Sequence, residues 1–366
     1  MGLFKSNLSY LGVDIGSAGV KVVELKNEGG RPSLVTYGFA EEKIEIVHNP
    51  PQAMMDKTVA LLDKVLIDSR ATTKKTVAAL PSFSVFSSII SLPPMKKKEL
   101  PQAISWEAKK FVPLPLEEMT LDWKLLGSSS DLDKLDKKFK KEDKEKGSKE
   151  RKTRNGDIKV LIAAAPKKLV MRYISIFKAA GLELLSLETE NFALERALVG
   201  GSKTPVMIVD IGSITTDISV VEEGIPLLSR SVDSGGSSIT AAIIQSLGVY
   251  QKRAEQFKRD IGFAGGSGNL PKLVESSITP IINEIKYCFD LYDSSASQAK
   301  IEKIILTGGS AFLPNITNYL SNLLGINVLI GDPWQRVIYP VELKSMLANL
   351  APRFSVAVGL AMREIV

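Results

Sequence analysis

An aspartate that ends an apolar run, followed two residues later by glycine and serine, has the chemistry of a phosphate grip. The carboxylate can hold a hydrated divalent cation. The glycine lets a phosphate approach the backbone, and consecutive N–H groups in the turn make a concave anion site. The string Val-Asp-Ile-Gly-Ser occurs twice in this chain, at Val13–Ser17 and Val209–Ser213, 196 residues apart. An apolar run leads into each copy (Tyr10 to Val13, Val206 to Val209) and an alternating run leads out. Two such hairpins predict two similar halves closing on one polyphosphate. The candidate cofactor residues are Asp14, Gly16, Ser17 and Lys21 in the first copy, and Asp210, Gly212, Ser213, Thr215 and Thr216 in the second. Asp14 and Asp210 end their strands facing each other and are the expected holders of Mg²⁺, partly through water. Lys21 alternates back toward the phosphate edge. Asp217 takes the matching place in the second copy, so the halves are not chemically equivalent.

A third glycine turn, Thr307-Gly308-Gly309-Ser310, is placed to hold a base or ribose. No Gly-x-x-x-x-Gly-Lys-Ser/Thr string is present, so this is not a P-loop. The glycine-rich stretch 262–269 lacks a strand-turn-helix context and reads as a flexible loop. Hydrolysis would need a group that orients water. Glu188 and Glu190 are the candidates; a helix cap with surface charge is the alternative reading.

These groups need a frame. Residues 10–14, 20–26 and 33–39 read as three strands, the second with one buried face. Pro50-Pro51 opens a helix to about Ser69, with Ala53, Met54, Val59, Leu62, Val65 and Leu66 as its apolar stripe. Thr76 to Leu80 is a strand. Phe83 to Leu92 (strand), Leu100 to Phe111 (helix), Leu121 to Leu126 and Ile158 to Ala165 (paired strands) form a small α+β module inserted in the first half. Lys168 to Ala180 is a helix ending at Gly181, and Leu184–Leu187 a short strand. Asn191 is expected to cap a helix over 192–198. The second half repeats hairpin, third strand (Leu227 to Val232), and a helix entered through Gly235-Gly236. Helices follow at 251–260 and 274–293, then strand Lys303 to Leu306, helix Pro314 to Leu324, strand Asn327 to Ile330 and helix Phe354 to Met362. The domains are then 1–80 plus 166–204, the insert 81–165 with a charged loop over 127–157, and 205–366.

Composition limits the function classes. The single cysteine, Cys288, excludes a disulfide framework and fits an apolar helix face. The single histidine, His48, reads as a surface loop residue, and no His/Cys cluster suggests zinc. Met1–Ser6 fits a myristoylation pattern by coincidence. Neither a signal peptide nor an apolar run long enough to span a bilayer is present, which predicts a soluble protein on the cytoplasmic side. Net charge is +6, but residues 131–155 hold eleven Lys/Arg and seven Asp/Glu, leaving only +2 elsewhere. The high pI therefore does not predict a nucleic-acid surface on the folded body. The charged stretch reads as a solvated loop or extended hairpin, with a contact to anionic lipid or another acidic surface as the alternative.

The order of motifs resembles the actin/Hsp70/FtsA superfamily, and most closely the PilM family of type IV pilus assembly proteins in its FtsA-like branch. The resemblance runs through 10–24, 106–115 with Asp122, 210–216, Gly235-Gly236 with Ile239 and Thr240, 307–315 and 351–361. It implies an α/β, actin-like (ribonuclease H-like) duplicated fold with a nucleotide cleft and an FtsA-type small inserted subdomain. It implies ATP or ADP with Mg²⁺ between the halves, held by the residues already named. Glu284 and Lys286 are added for the nucleoside, with Gly308 and Gly309 as the adenosine turn. The implied function is a cytoplasmic adaptor, peripheral at the inner membrane through protein partners, with weak or absent ATP hydrolysis. It would bind the cytoplasmic N-terminal peptide of PilN and connect to the platform protein and assembly ATPases; self-association is compatible with it. Phe83, Trp106 and Phe111 are the expected peptide-docking residues, with a core role for Trp106 and Phe111 as the alternative. The chain ends at Met362-Arg-Glu-Ile-Val366 without the amphipathic tail of FtsA, which predicts indirect membrane attachment. An FtsA-like filament former and a phosphotransferase of the sugar-kinase branch are the competing readings.

Overall fold

The computed structural model describes residues 8–126, 157–263, 269–294 and 299–366. The charged stretch 131–155, the N-terminal Met1–Ser6 and most of the glycine-rich loop lie outside these residues. The chain divides into two compact units, Met1–Phe83 with Arg172–Val366, and Ser84–Met171.

The larger unit holds two five-stranded sheets of one design. In the first, β1 (Ser9–Gly16), β2 (Gly19–Glu28), β3 (Arg31–Glu41) and β4 (Lys75–Leu80) lead to β8 (Glu183–Thr189), in the order β3-β2-β1-β4-β8. In the second, β9 (Val206–Ile211), β10 (Thr216–Glu222), β11 (Ile225–Val232), β12 (Lys303–Thr307) and β13 (Asn327–Ile330) run β11-β10-β9-β12-β13. In both, the three hairpin strands are antiparallel and the two later strands parallel. The expected duplicated, actin-like α/β architecture is present.

Strand β2 departs from the one-sided pattern: Val20, Val22, Val23, Glu24 and Leu25 are all buried. Helices Gln52–Ser69 and Ser355–Met362 both pack against it, so both its faces are covered. The buried Glu24 is satisfied by the N–H and hydroxyl of Thr72, at 2.7 and 2.6 Å. The helix Gln52–Ser69 buries Thr58, Leu61, Leu62 and Val65, while Ala53 of the expected stripe is exposed. Helix 274–293 is two helices, Asn269–Ser277 and Thr279–Asp293, because Pro280 has no N–H to continue the ladder. Asn191 lies inside helix Glu190–Leu198 rather than at its cap, and donates to Ser229 Oγ at 2.6 Å.

Every residue of helix Ser355–Met362 is buried. Its Val356 and Leu360 join Val77 and Ala79 of the first sheet to Ile208 and Val221 of the second, along with Ala193 and Leu194. One core therefore ties the halves together. Gly12 makes room for this helix: a Cβ there would run into the Ala357 carbonyl oxygen and the Ala361 nitrogen. Among the described residues, no single helix is long and apolar enough to cross a membrane.

In the smaller unit, β5 (Phe86–Leu92), β7 (Ile158–Pro166) and β6 (Met119–Leu126) form an antiparallel sheet in the order β5-β7-β6. Helix Leu100–Ala108 covers it with Leu100, Ile104 and Ala108, against Ile90, Val160 and Ile162. The sequence expectation ran β5 from Phe83. Instead Ser82–Ser84 is a single 3-10 turn. The Ser82 N–H is taken by Glu190 Oε2 at 2.9 Å, so strand pairing starts only at Phe86.

Candidate nucleotide site

Each hairpin sets its aspartate opposite a residue of the returning strand. Asp14 pairs with Lys21, and Asp210 with Asp217. Lys21 Nζ donates to Asp14 Oδ2 at 2.7 Å, a charge-assisted bond on a side chain that is 8% exposed. The second hairpin has no such cation. Its two carboxyls face each other, and the Ser231 hydroxyl donates to Asp217 Oδ1.

This placement governs protonation. Withdrawal from water, then the charges of Asp217 and Asp14, push Asp210 up to about 7 against the opposing pull of Lys21. Burial raises Asp217 to about 6, opposed by Ser231. Glu190 is raised well above the usual carboxylate range by burial and then by Asp217, Asp14 and Asp210, opposed by the Ser82 N–H. The acids thus raise one another, and Lys21 opposes the rise at Asp210. Among the described residues, no three acidic, histidine or cysteine side chains converge tightly enough to hold a metal ion directly. The donor set suits a hydrated divalent cation whose charge spreads over several acids through water.

The second turn is braced from behind. Gly236 N–H donates to Gly212 O at 2.9 Å and Ser237 N–H to Ser213 O at 2.8 Å, and the Ser213 and Ser237 hydroxyls meet at 2.9 Å. Gly235 fits because a Cβ would press on the Gly212 and Ser213 carbonyls. Thr216 Oγ1 donates to Ser234 O at 2.7 Å, so it is spent on structure; Thr215 stays partly accessible. The third turn abuts this one. Gly308, at φ 84°, lies against Asp210 and the Ile211 carbonyl with no space for a Cβ, whereas Gly309 faces open space. In the first turn, Ile44 and Glu42 N–H groups hold the Ser17 and Ala18 carbonyls at 3.1 Å each, while Gly16 is only loosely surrounded. The buried Ser82 and Tyr173 hydroxyls find no partner among the described residues. Burial, then Glu190 and Asp14, raise Tyr173 well above its ordinary value, which places it beside the same carboxylates. Orphaned hydroxyls, an open glycine turn and uncompensated acids fit a Mg²⁺-bearing polyphosphate.

Other sequence candidates sit elsewhere. Arg196 clamps Glu188 with two bonds, at 2.8 and 3.0 Å, and Arg363 lies 3.4 Å away. That carboxylate is a structural anchor, while Glu190 sits with the aspartates. Arg230 Nε donates to Glu284 Oε1 at 2.7 Å, and Lys286 is exposed. Sequence reading missed Glu255 and Lys258. Lys258 Nζ donates to Gly236 O at 3.1 Å, Thr240 Oγ1 at 2.9 Å and Glu255 Oε1 at 2.9 Å. Burial acts to raise Glu255, but Thr240 and Lys258 outweigh it and hold the carboxyl low. The available signal was an acid and a lysine three apart on the amphipathic helix that follows the Gly-Gly turn. Phe83 stacks on the exposed His48, centroids 6.3 Å apart. Trp106 is 71% exposed and Phe111 49%, so neither is a core residue.

Comparison with known proteins supports this architecture. The solved PilM-PilN type IV pilus biogenesis complex matches with TM-score 0.81 and 23% identity, over 99% of this chain and 100% of that one. MreB 5 of Spiroplasma citri bound to AMPPNP matches with TM-score 0.53 and 13% identity, over 97% and 95%. Cell division protein FtsA of Staphylococcus epidermidis is 22% identical over 214 residues, 52% of this chain and 46% of that protein. The DnaK chaperone of Elusimicrobium minutum is 27% identical over 210 residues, 44% and 34%. The chain thus aligns with less than half the length of either of these two relatives. The model of the family described as type IV pilus assembly protein PilM matches residues 12–138 and 147–365, and the chain belongs to that family.

Proposed function

We propose that this chain is a nucleotide-binding adaptor in type IV pilus assembly, docking the cytoplasmic N-terminal peptide of a PilN-type membrane protein. The observation that carries the reading is the family match across almost the whole chain, insert included. The PilM-PilN structure, alike over its full length, supports the choice of partner. The paired hairpins support the nucleotide, as does the AMPPNP held by the MreB 5 relative.

Asp14 and Asp210 would hold Mg²⁺ through water, with Asp217 and Glu190 lending charge behind them. Gly16, Ser17, Lys21, Gly212, Ser213 and Thr215 would line the phosphates. Gly235, Gly236, Gly308 and Gly309 would face the nucleoside side, with Glu255 and Lys258 behind the turn. Bound Mg²⁺ supplies positive charge where the protein has concentrated negative charge. Burial and the neighbouring acids raise Glu190, and a cation held here would oppose that rise. With both hairpins holding one nucleotide, the closed arrangement of the halves would be favoured, which would bias the docking surface available to the partner.

Calorimetric titration of the full chain with the partner's N-terminal peptide, with and without Mg-ATP, tests this. Saturable one-to-one binding whose affinity shifts with Mg-ATP is the expected result. No binding in either state, by protein that is folded and binds nucleotide, would sink the adaptor and favour filament assays.

A further inference from the structure

The charge of this molecule is unevenly divided. Residues 84–171 carry 20 Lys/Arg and 13 Asp/Glu, net +7, of which +4 lies in the stretch 131–155 and +3 in the remainder, while the rest of the chain carries 27 and 28, net −1. The smaller unit also exposes large apolar side chains. Helix Leu100–Ala108 turns Leu100, Ile104 and Ala108 inward, which presents Trp106 to solvent at 71% exposure. Phe111 and Leu114 follow at 49% and 45%. A groove of about 340 Å³ beside Trp106 has Pro93, Pro94, Met95 and Ala103 on its apolar walls and Glu99 and Gln102 as its polar lining. Lys97 and Lys98 stand exposed at one end of the helix, Lys109 and Lys110 at the other. Of the nearby acids, Glu107 holds the Lys110 ammonium at 2.8 Å, the exposed Glu99 accepts the Lys96 N–H at 3.3 Å, and Glu117 and Glu118 are exposed beyond Leu114.

We infer that this face docks the smaller unit on an anionic lipid bilayer. Trp106, Phe111 and Leu114 enter the headgroup boundary, and Lys98 and Lys109, at the two ends of the helix, meet acidic headgroups. A peptide would need only the groove; lysines at both ends of the helix are complemented by a broad negative plane. An aromatic ring with a polar edge suits the lipid–water boundary. Lipid attachment takes two weak signals acting together, here apolar insertion and a basic rim. Trp106 and Phe111, expected from sequence to meet a peptide, are thereby assigned to lipid. The inference goes beyond the adaptor reading and does not need it.

The test is sedimentation of the full chain with vesicles, without any partner protein. Binding to phosphatidylglycerol-rich vesicles, little to phosphatidylcholine, and release by salt are expected. Each lysine contributes about fivefold in partitioning, so Lys98→Ala/Lys109→Ala should weaken binding about 25-fold. A Trp106→Ser/Phe111→Ser variant, shown folded by circular dichroism, should lose at least about tenfold in vesicle binding. Vesicle binding without peptide affinity would support the inference and sink the adaptor. Three results would overturn it: no sedimentation, sedimentation indifferent to Trp106→Ser/Phe111→Ser, or retention on polynucleotide but not on vesicles.

Discussion

The two hairpins share a backbone and differ in charge. Both place an aspartate at the end of a buried central strand and both sheets have the same strand order. Yet the residue opposite is Lys21 in one and Asp217 in the other. The first half completes its own ion pair; the second accumulates repulsion and is left with raised carboxyls. Duplication preserved the grip and moved the demand for a cation into one half. A second contrast sits two residues before each aspartate: Gly12 in the first strand, Ile208 in the second. Gly12 accepts the helix Ser355–Met362, whereas Ile208 fills the shared core beneath it.

Making the halves alike at that position should have the largest effect. Gly12→Ile forces a side chain into the Ala357 backbone, and overpacking there should cost about 3 kcal/mol or more. Urea unfolding measures it; a loss under about 1 kcal/mol would mean the helix is not seated against β1 as described. Removing the cation comes next. Lys21→Ala leaves Asp14 enclosed and unpaired. Because Lys21 keeps 22% exposure, the expected loss is about 2 kcal/mol, short of a fully buried pair. The same change should weaken Mg-nucleotide binding in calorimetry, whereas a neutral effect on both would deny Lys21 its place in the site.

Acidity sharpens the contrast further. Asp210 titrates near 7 in the fold and from an ordinary value of 3.8 when unfolded. Between those values the unfolded chain releases a proton that the fold retains. Stability contributed by this group is therefore full below about pH 4 and falls as pH rises toward 7. Asp210→Asn should flatten that decline and raise stability above pH 7 by at least about 1 kcal/mol. Asp217→Asn should do less, since Asp217 is raised only to about 6 and loses its Ser231 bond. Urea midpoints across a pH series decide this. An unchanged slope in Asp210→Asn would mean that its carboxyl is hydrated.

What the sequence revealed followed from local repetition. The strings at Val13–Ser17 and Val209–Ser213 announced the duplication, and alternation along the returning strand already set Lys21 against Asp217. Hidden features depended on long-range contacts. Nothing near Glu188 or Glu190 says that Arg196 clamps one while Ser82 donates to the other. The two-sided burial of β2 comes from a helix more than 300 residues later in the chain. Phe83 read as strand because its neighbours are β-formers, yet a bond from Ser82 to a residue 108 positions away turns the chain. Glu255 and Lys258 were passed over because an acid and a lysine on one helix turn usually form a surface pair; here they brace the Gly236 carbonyl and Thr240.

That last pair sets up the smallest expected effect. Glu284 is the residue the sequence assigns to the nucleoside side, whereas Lys258 stands behind the Gly235-Gly236 turn. Glu284 is bound to Arg230, whose guanidinium also lies 5.2 Å from the Tyr287 ring, on a partly exposed helix face. An exposed pair of this kind is worth roughly 0.2–1 kcal/mol. Glu284→Ala should therefore lower stability by no more than about 1 kcal/mol and leave nucleotide affinity within about twofold. Lys258→Ala removes three donated bonds behind the Gly235-Gly236 turn, so its effect on nucleotide affinity should be clearly larger. Fluorescent-nucleotide titration of the two variants side by side separates them. A larger loss from Glu284→Ala would return the nucleoside contact to helix Thr279–Asp293, and would leave Lys258 as support for the turn alone.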